Sequence, residues 1–73
     1  MVKVYSKNNC IQCKMTKELL KQRNVNFLEI NVDNVENTDA LSALKEKGIK
    51  SLPYVETEIK SWTGFRPAEI KAI

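Results

Sequence analysis

Apolar and polar residues alternate in short blocks along the chain, and the period of the alternation changes from block to block. Val2, Val4 and Tyr5 are strand formers in a short run, so residues 2–5 read as a first strand. Asn8 and Asn9 then supply turn and cap chemistry. From Ile11 the period lengthens. Ile11, Met15 and Leu19 recur every four residues, Leu20 widens the stripe, and lysines occupy the outer face. The pattern predicts an amphipathic helix from Ile11 to Arg23, with Asn24 as its stop.

Phe27, Leu28, Ile30 and Val32 predict a second strand, ended by Asp33-Asn34. Residues 36–47 carry Ala40, Leu41, Ala43 and Leu44 among polar neighbours and predict a second helix. Gly48 suits the left-handed position beyond its end. A third strand, Leu52-Pro53-Tyr54-Val55-Glu56, opens at a proline. Ile59-Lys60-Ser61-Trp62 is its expected hairpin partner across Thr57-Glu58, a weak turn sequence. Gly64 breaks the pattern, and Pro67 suits the first position of a last short helix, Pro67–Ala72.

The order is β-α-β-α-β-β-α. A strand-helix-strand start implies a right-handed crossover and a parallel central pair, and the last two strands imply an antiparallel hairpin. The expected class is α/β, a mixed four-stranded sheet packed with three helices. No repeat, linker or low-complexity stretch divides residues 1–73, so they form one domain.

With 73 residues, 42% of them hydrophobic, the core is modest. A chain of this size buries only about 60% of the surface that its unfolded form exposes. The formal charge of +3 comes from scattered basic residues: Lys14, Lys17, Lys21 and Arg23 in one region, Lys45, Lys47 and Lys50 in another. They read as a solvated surface with a mild preference for an acidic protein partner. A nucleic-acid binder would show a denser basic patch with exposed aromatics, so no nucleic acid is expected. Met1-Val2-Lys3-Val4-Tyr5 runs straight into the strand pattern, and no apolar run approaches membrane-spanning length. A cytoplasmic protein without a membrane partner is expected.

The chain has two cysteines, Cys10 and Cys13. A staple closing so short a loop stabilises little. Cytosolic thiols are held reduced, so a C-x-x-C there is catalytic or metal-binding more often than structural. Zinc normally takes four ligands, and this chain has no histidine and no third cysteine, so a metal would have to bridge two chains. The placement between first strand and first helix puts Cys10 at a helix N-terminus, where unsatisfied N–H groups and the macrodipole favour a thiolate. Such settings lower a thiol pKa from about 8.5 to about 7 or below. Lys7, just upstream, adds to the effect. Cys13, one turn into the helix, is close enough to form the disulfide and less exposed. Cys10 is therefore the expected nucleophile on a target disulfide, and Cys13 the resolving thiol that releases the reduced target.

Leu52-Pro53 follows the cysteines by about forty residues, the spacing that a thioredoxin-like fold needs. A proline opening a strand is ordinarily trans; beside a C-x-x-C in such a fold, Pro53 is instead expected to be cis and to sit next to the cysteine pair, leaving the backbone of Leu52 free to pair with a substrate strand.

Over essentially its whole length the chain resembles the glutaredoxin-like proteins of the NrdH-redoxin type. Three stretches carry the resemblance: Cys10-Ile11-Gln12-Cys13, Leu52-Pro53 and Trp62-Thr63-Gly64-Phe65-Arg66-Pro67. The corresponding family patterns are C-[VMI]-Q-C, a pair ending in the cis proline, and W-[ST]-G-F-R-P. The resemblance implies a thioredoxin fold, a redox-active Cys10–Cys13 disulfide and no bound cofactor or metal. It also implies a role as hydrogen donor to the large subunit of class Ib ribonucleotide reductase. Recharging would come from NADPH through thioredoxin reductase, with the protein acting as a monomer. Ile11, Gln12, Leu52, Pro53, Trp62, Phe65 and Arg66 form the expected partner surface around Cys10.

Two alternatives stand beside this reading. Glutathione-dependent glutaredoxins are similar in size and order, but typically carry C-P-Y-C and a glycine pair followed by polar or acidic residues. Here a bulky Phe65 and Pro67 stand in the second region, and Pro67 removes a backbone donor. The other alternative is a dimeric module whose C-x-x-C pairs hold an iron–sulfur cluster or zinc between two chains.

Overall fold

A computed structural model describes residues 1–73. The elements follow the expected order: β1 (Val2–Ser6), α1 (Ile11–Gln22), β2 (Phe27–Asn31), a 3-10 turn (Val35–Asn37) leading into α2 (Thr38–Glu46), β3 (Tyr54–Glu56), β4 (Ser61–Thr63) and α3 (Pro67–Lys71). Asn24 (φ 57°) and Gly48 (φ 77°) take the left-handed conformation just past the ends of α1 and α2.

The four strands form one mixed sheet in the order β2-β1-β3-β4. β1 runs parallel to β2, with Val2 opposite Phe27 and Ser6 opposite Asn31. It runs antiparallel to β3, with Val4 opposite Val55. β3 in turn pairs antiparallel with β4, Val55 opposite Trp62. The parallel pair is thus not the central one, which corrects the sequence expectation. β2 lies at an edge and the central pair, β1–β3, is antiparallel. Burial explains the choice. Tyr54 and Val55 of β3 are buried on opposite faces, which suits a strand in the middle of the sheet with cover above and below, whereas Leu28 of β2 is 47% exposed.

Both faces of the sheet are covered. Val2, Val4, Val55 and Trp62 form one core with Leu20 of α1 and Ile70 of α3. Tyr54 forms the other core with Val32 and Leu44 of α2, flanked by Tyr5, Leu41, Ile49 and Leu52.

Only the C-terminal half of the stripe expected to bury α1 does so: Leu20 is buried and Leu19 packs on the same core. Ile11 is 77% and Met15 40% exposed, and the buried residues are Cys13, Thr16 and Leu20. Two neighbouring rows of the helix carry small or apolar residues. The row that packs is the one facing β1 and α3, where the slender Cys13 and Thr16 allow close approach. The hairpin also differs. Thr57 Oγ1 accepts from the Ile59 N–H (3.3 Å) and the Lys60 N–H (3.0 Å), and the Thr57 N–H donates to the Lys60 carbonyl (2.8 Å). This turn consumes residues 57–60, so β4 begins at Ser61 and Ile59 is left exposed.

At the C-terminal end of β1, Ser6 is buried and donates to Glu29 Oε2 (2.8 Å), which also accepts from Lys17 Nζ (2.6 Å). The Lys17 hydrogen bond, aided by Ser6, holds the Glu29 carboxyl below its ordinary value of 4.5. A lowered carboxyl adds stability that is complete above the ordinary value and lost as pH falls through the folded value. Glu29→Gln should therefore flatten the acid limb of stability below about pH 4.5, with at most about 1 kcal/mol lost at neutral pH because the pair is partly solvated. Thermal denaturation from pH 7 down to about pH 2 checks this. An unchanged acid limb in the variant would remove Glu29 from the account.

Candidate redox site

Cys10 follows β1 through the loop Lys7–Asn9, and the loop is tied down from across the sheet. The Asn8 N–H donates to Asp33 Oδ2 (2.8 Å), Asn31 Nδ2 donates to Asn8 Oδ1 (3.0 Å), and the Asp33 N–H donates to Asn31 Oδ1 (2.9 Å). Asn9 takes a left-handed conformation (φ 55°), which asparagine tolerates better than most residues. The chain therefore arrives at α1 in a set direction.

Cys10 is the N-cap of α1, with extended backbone (φ −118°, ψ 104°). Its Sγ accepts from the Cys13 N–H at 3.2 Å, and its carbonyl accepts from the Lys14 N–H at 3.1 Å. The sulfur thus takes the place of the Ser or Asp oxygen that usually caps a helix. The first turn holds no acidic residue, so charge on Sγ would meet an N–H donor and the positive end of the helix without local repulsion. Cys10 and Cys13 are joined as a disulfide, with Cα atoms 5.2 Å apart. Cys13 is 1% exposed while Cys10 is half-buried, which makes Cys10 the reachable sulfur.

The Leu52–Pro53 peptide bond is cis, and the Leu52 carbonyl oxygen lies 3.9 Å from Cys10 Sγ. This is a contact and not a hydrogen bond, because the oxidised sulfur carries no proton. Pro53 is buried, and its carbonyl accepts from the Gly64 N–H at 2.8 Å. Gly64 has φ 84°, a conformation that glycine adopts freely. The next N–H, that of Phe65, donates to Gln12 Oε1 at 3.4 Å. Gln12 and Pro53 together bind the turn after β4 to the cysteine motif.

Two open clefts flank Cys10. One is lined by Lys7, Asn9, Ile11, Gln12, Lys50, Ser51 and Leu52. The other runs along α1 past Lys14 and Lys17 to Asn31. Lys7, Ile11, Gln12 and Leu52 are therefore gathered at Cys10 as expected from sequence. Three others lie outside these clefts. Trp62 is only 6% exposed and belongs to the core. Phe65 packs on that core and borders a shallow hollow with Met15, Glu18, Leu19 and Gln22, along α1 from the cysteines. Arg66 is exposed, with its Nε donating to the Thr63 carbonyl at 3.3 Å. The sequence assigned no site role to Lys50, Ser51, Asn31 or Asp33. Lys50 and Ser51 could have been found from their adjacency to Leu52; the asparagine lattice spans 23 to 25 residues and left no local signal.

No three His, Cys, Asp or Glu side chains are grouped to hold a metal ion, and no helix is long and apolar enough to cross a membrane. An apolar hollow bordered by Met1, Val2, Ile59 and Ile73 opens away from the cysteines.

Known proteins place this arrangement in context. The glutaredoxin family model matches residues 2–66. A glutaredoxin-like protein NrdH of Lactococcus lactis subsp. cremoris is 41% identical over 70 residues, covering 96% of this chain and 94% of that protein. The NrdH of Escherichia coli K12 is 39% identical over 72 residues, covering 99% of this chain and 86% of its own length. The solved structure of E. coli NrdH-redoxin, described for its thioredoxin-like activity profile, superposes with a TM-score of 0.91 over 99% of this chain and 92% of that one. The fold is thioredoxin-like.

Proposed function

The chain belongs to the glutaredoxin family, among its glutaredoxin-like NrdH members, and from that premise we propose that it carries electrons from thioredoxin reductase to class Ib ribonucleotide reductase. Thiol–disulfide exchange at Cys10–Cys13 is the chemistry that such a carrier performs. One observation carries the reading: a half-buried Cys10 caps α1, bonded to a fully buried Cys13, in a chain similar to NrdH proteins over nearly all its length. Cys10 acts as nucleophile and Cys13 resolves, while Lys7 helps to hold the thiolate from the loop upstream. NADPH enters through the reductase and is not bound here. The protein works as a cytoplasmic monomer.

The glutathione-dependent reading is the natural competitor within the family. Against it stand the backbone donors of the turn after β4. The Gly64 N–H is taken by Pro53, the Phe65 N–H by Gln12, and Pro67 has none, so this turn offers little to a tripeptide's carboxylates. Partner contacts in transient redox pairs are small and rely on a few apolar anchors. Ile11, 77% exposed beside Cys10, is the foremost of these. Gln12 and Leu52 line the same mouth, and Phe65 and Arg66 extend the surface along α1.

The test compares NADPH oxidation through thioredoxin reductase with that through glutathione and glutathione reductase. The first route should be the faster. Ile11→Asp should lower kcat/KM with thioredoxin reductase roughly tenfold or more, as loss of a contact anchor does, without unfolding the protein. Faster reduction by glutathione would overturn the assignment in favour of an ordinary glutaredoxin.

A further inference from the structure

Thr16 lies on the buried face of α1, and the redox site as described leaves it unexplained. It is 0% exposed and its hydroxyl makes no hydrogen bond. A helical threonine commonly bonds the carbonyl four residues back, which here belongs to Gln12, and this one does not. An unpaired buried hydroxyl is costly, and in a native protein it calls for an explanation, a redox or catalytic role being one.

The neighbour one turn back on the same buried face is Cys13, 1% exposed. Side chains three residues apart on a helix are adjacent. In the oxidised protein the disulfide holds Cys13 Sγ toward Cys10, and no hydrogen bond joins it to Thr16. Reduction by a dithiol delivers two electrons and two protons, breaks the S–S bond and leaves the dithiol as a disulfide. Cys13 Sγ is then free to turn about its Cα–Cβ bond. As a thiol, or on losing its proton a thiolate, it can now present its lone pairs in a direction the disulfide did not allow, and the thiolate is the stronger acceptor. Since Cys13 is buried, the groups it can turn toward are those of the interior.

We propose that Thr16 is a positioning residue of the redox cycle, its hydroxyl donating to Cys13 Sγ in the dithiol state. Reduction then satisfies a donor that oxidation leaves orphaned, and the equilibrium is biased toward the dithiol. The same bond orients Cys13 when Cys10 is engaged in a mixed disulfide and Cys13 must attack it. The inference rests on the redox reading of the cysteine pair and adds the group that tunes it.

Thr16→Val removes the hydroxyl at nearly constant shape. Native and variant chains are equilibrated with mixtures of reduced and oxidised dithiothreitol at pH 7, and the dithiol fraction is counted by alkylation and mass. The equilibrium constant for reduction should fall about fivefold to tenfold, tenfold being 29.6 mV toward a more reducing protein. Thr16→Ser, which keeps the hydroxyl, should stay within about twofold of native. Denaturation of both redox forms gives a second readout. Thr16→Val should penalise the reduced form relative to the oxidised form by the same factor, since the four states close a cycle. A purely structural role would move both forms alike and leave the constant where it was. Should Thr16→Val not fold, Thr16→Ala carries the same comparison. A constant within about twofold of native in the variant lacking the hydroxyl overturns the proposal. If the native Cys10–Cys13 bond does not exchange with dithiothreitol while the protein stays folded, the redox reading itself fails instead.

Discussion

Replacing Cys13 by serine should leave Cys10 able to attack a disulfide and unable to let go of it. Cys10 Sγ attacks one sulfur of the target, the target's S–S bond breaks, and one thiolate leaves. Release then needs a second thiolate to attack Cys10 Sγ from within, and Cys13 is the only other cysteine in the chain. Its Cα lies 5.2 Å from that of Cys10, a separation suited to disulfide bonding. The expected product is a covalent adduct of one chain and one target, visible by mass under non-reducing conditions and absent after reduction. The helix-capping N–H of residue 13 is backbone and survives the substitution, so attack itself should proceed. Cys10→Ser, by contrast, should abolish both turnover and adduct, because the remaining sulfur is buried. Undiminished turnover of protein disulfides by Cys13→Ser would rule out the two-thiol mechanism.

Ile70→Ala should cost a large share of the protein's stability while touching no sulfur. Ile70 is 0% exposed and closes the core that joins α3 to Val4, Val55 and Leu20. Removing a buried isoleucine side chain to Cβ typically costs about 2–5 kcal/mol. A domain of this length has roughly 4–11 kcal/mol in total, taking about 0.05–0.15 per residue. The melting temperature should fall by about 10 °C or more, at roughly 4–8 °C per kcal/mol for a chain of this size. Val35→Ala, at a residue 91% exposed, serves as the control and should lie within about 0.5 kcal/mol of native. Denaturant and thermal melts on the two variants decide it. A loss below about 1 kcal/mol for Ile70→Ala would mean that α3 is not a structural part of this core.

The sequence by itself determined the elements and their order, because each rests on local chemistry. Strand formers in 2–5, the helix stops Asn24 and Gly48, and Pro67 at a helix start act within a few residues of themselves, and all hold in the structure. So does the cap. A cysteine between a strand and a helix meets the free N–H groups of the first turn wherever the rest of the chain goes, and Cys10 does.

What tertiary structure alone decided is how those elements choose partners. A strand-helix-strand unit makes β1 and β2 parallel, but nothing local says that β3 takes the other edge of β1. That follows from the demand of Tyr54 and Val55 for cover on both faces. Two rows of α1 were eligible for burial by spacing, and contact with β1 and α3 selected the row of Cys13, Thr16 and Leu20 over that of Ile11 and Met15. The same selection leaves Ile11 exposed at the mouth of the site and places Trp62 inside, although both belong to motifs read as one partner surface. The Asn8–Asn31–Asp33 lattice and the bond from Phe65 to Gln12 join residues 23 to 53 positions apart. Hydrogen bonds of that reach carry no periodicity or spacing to read, since they exist only once packing has brought their ends together.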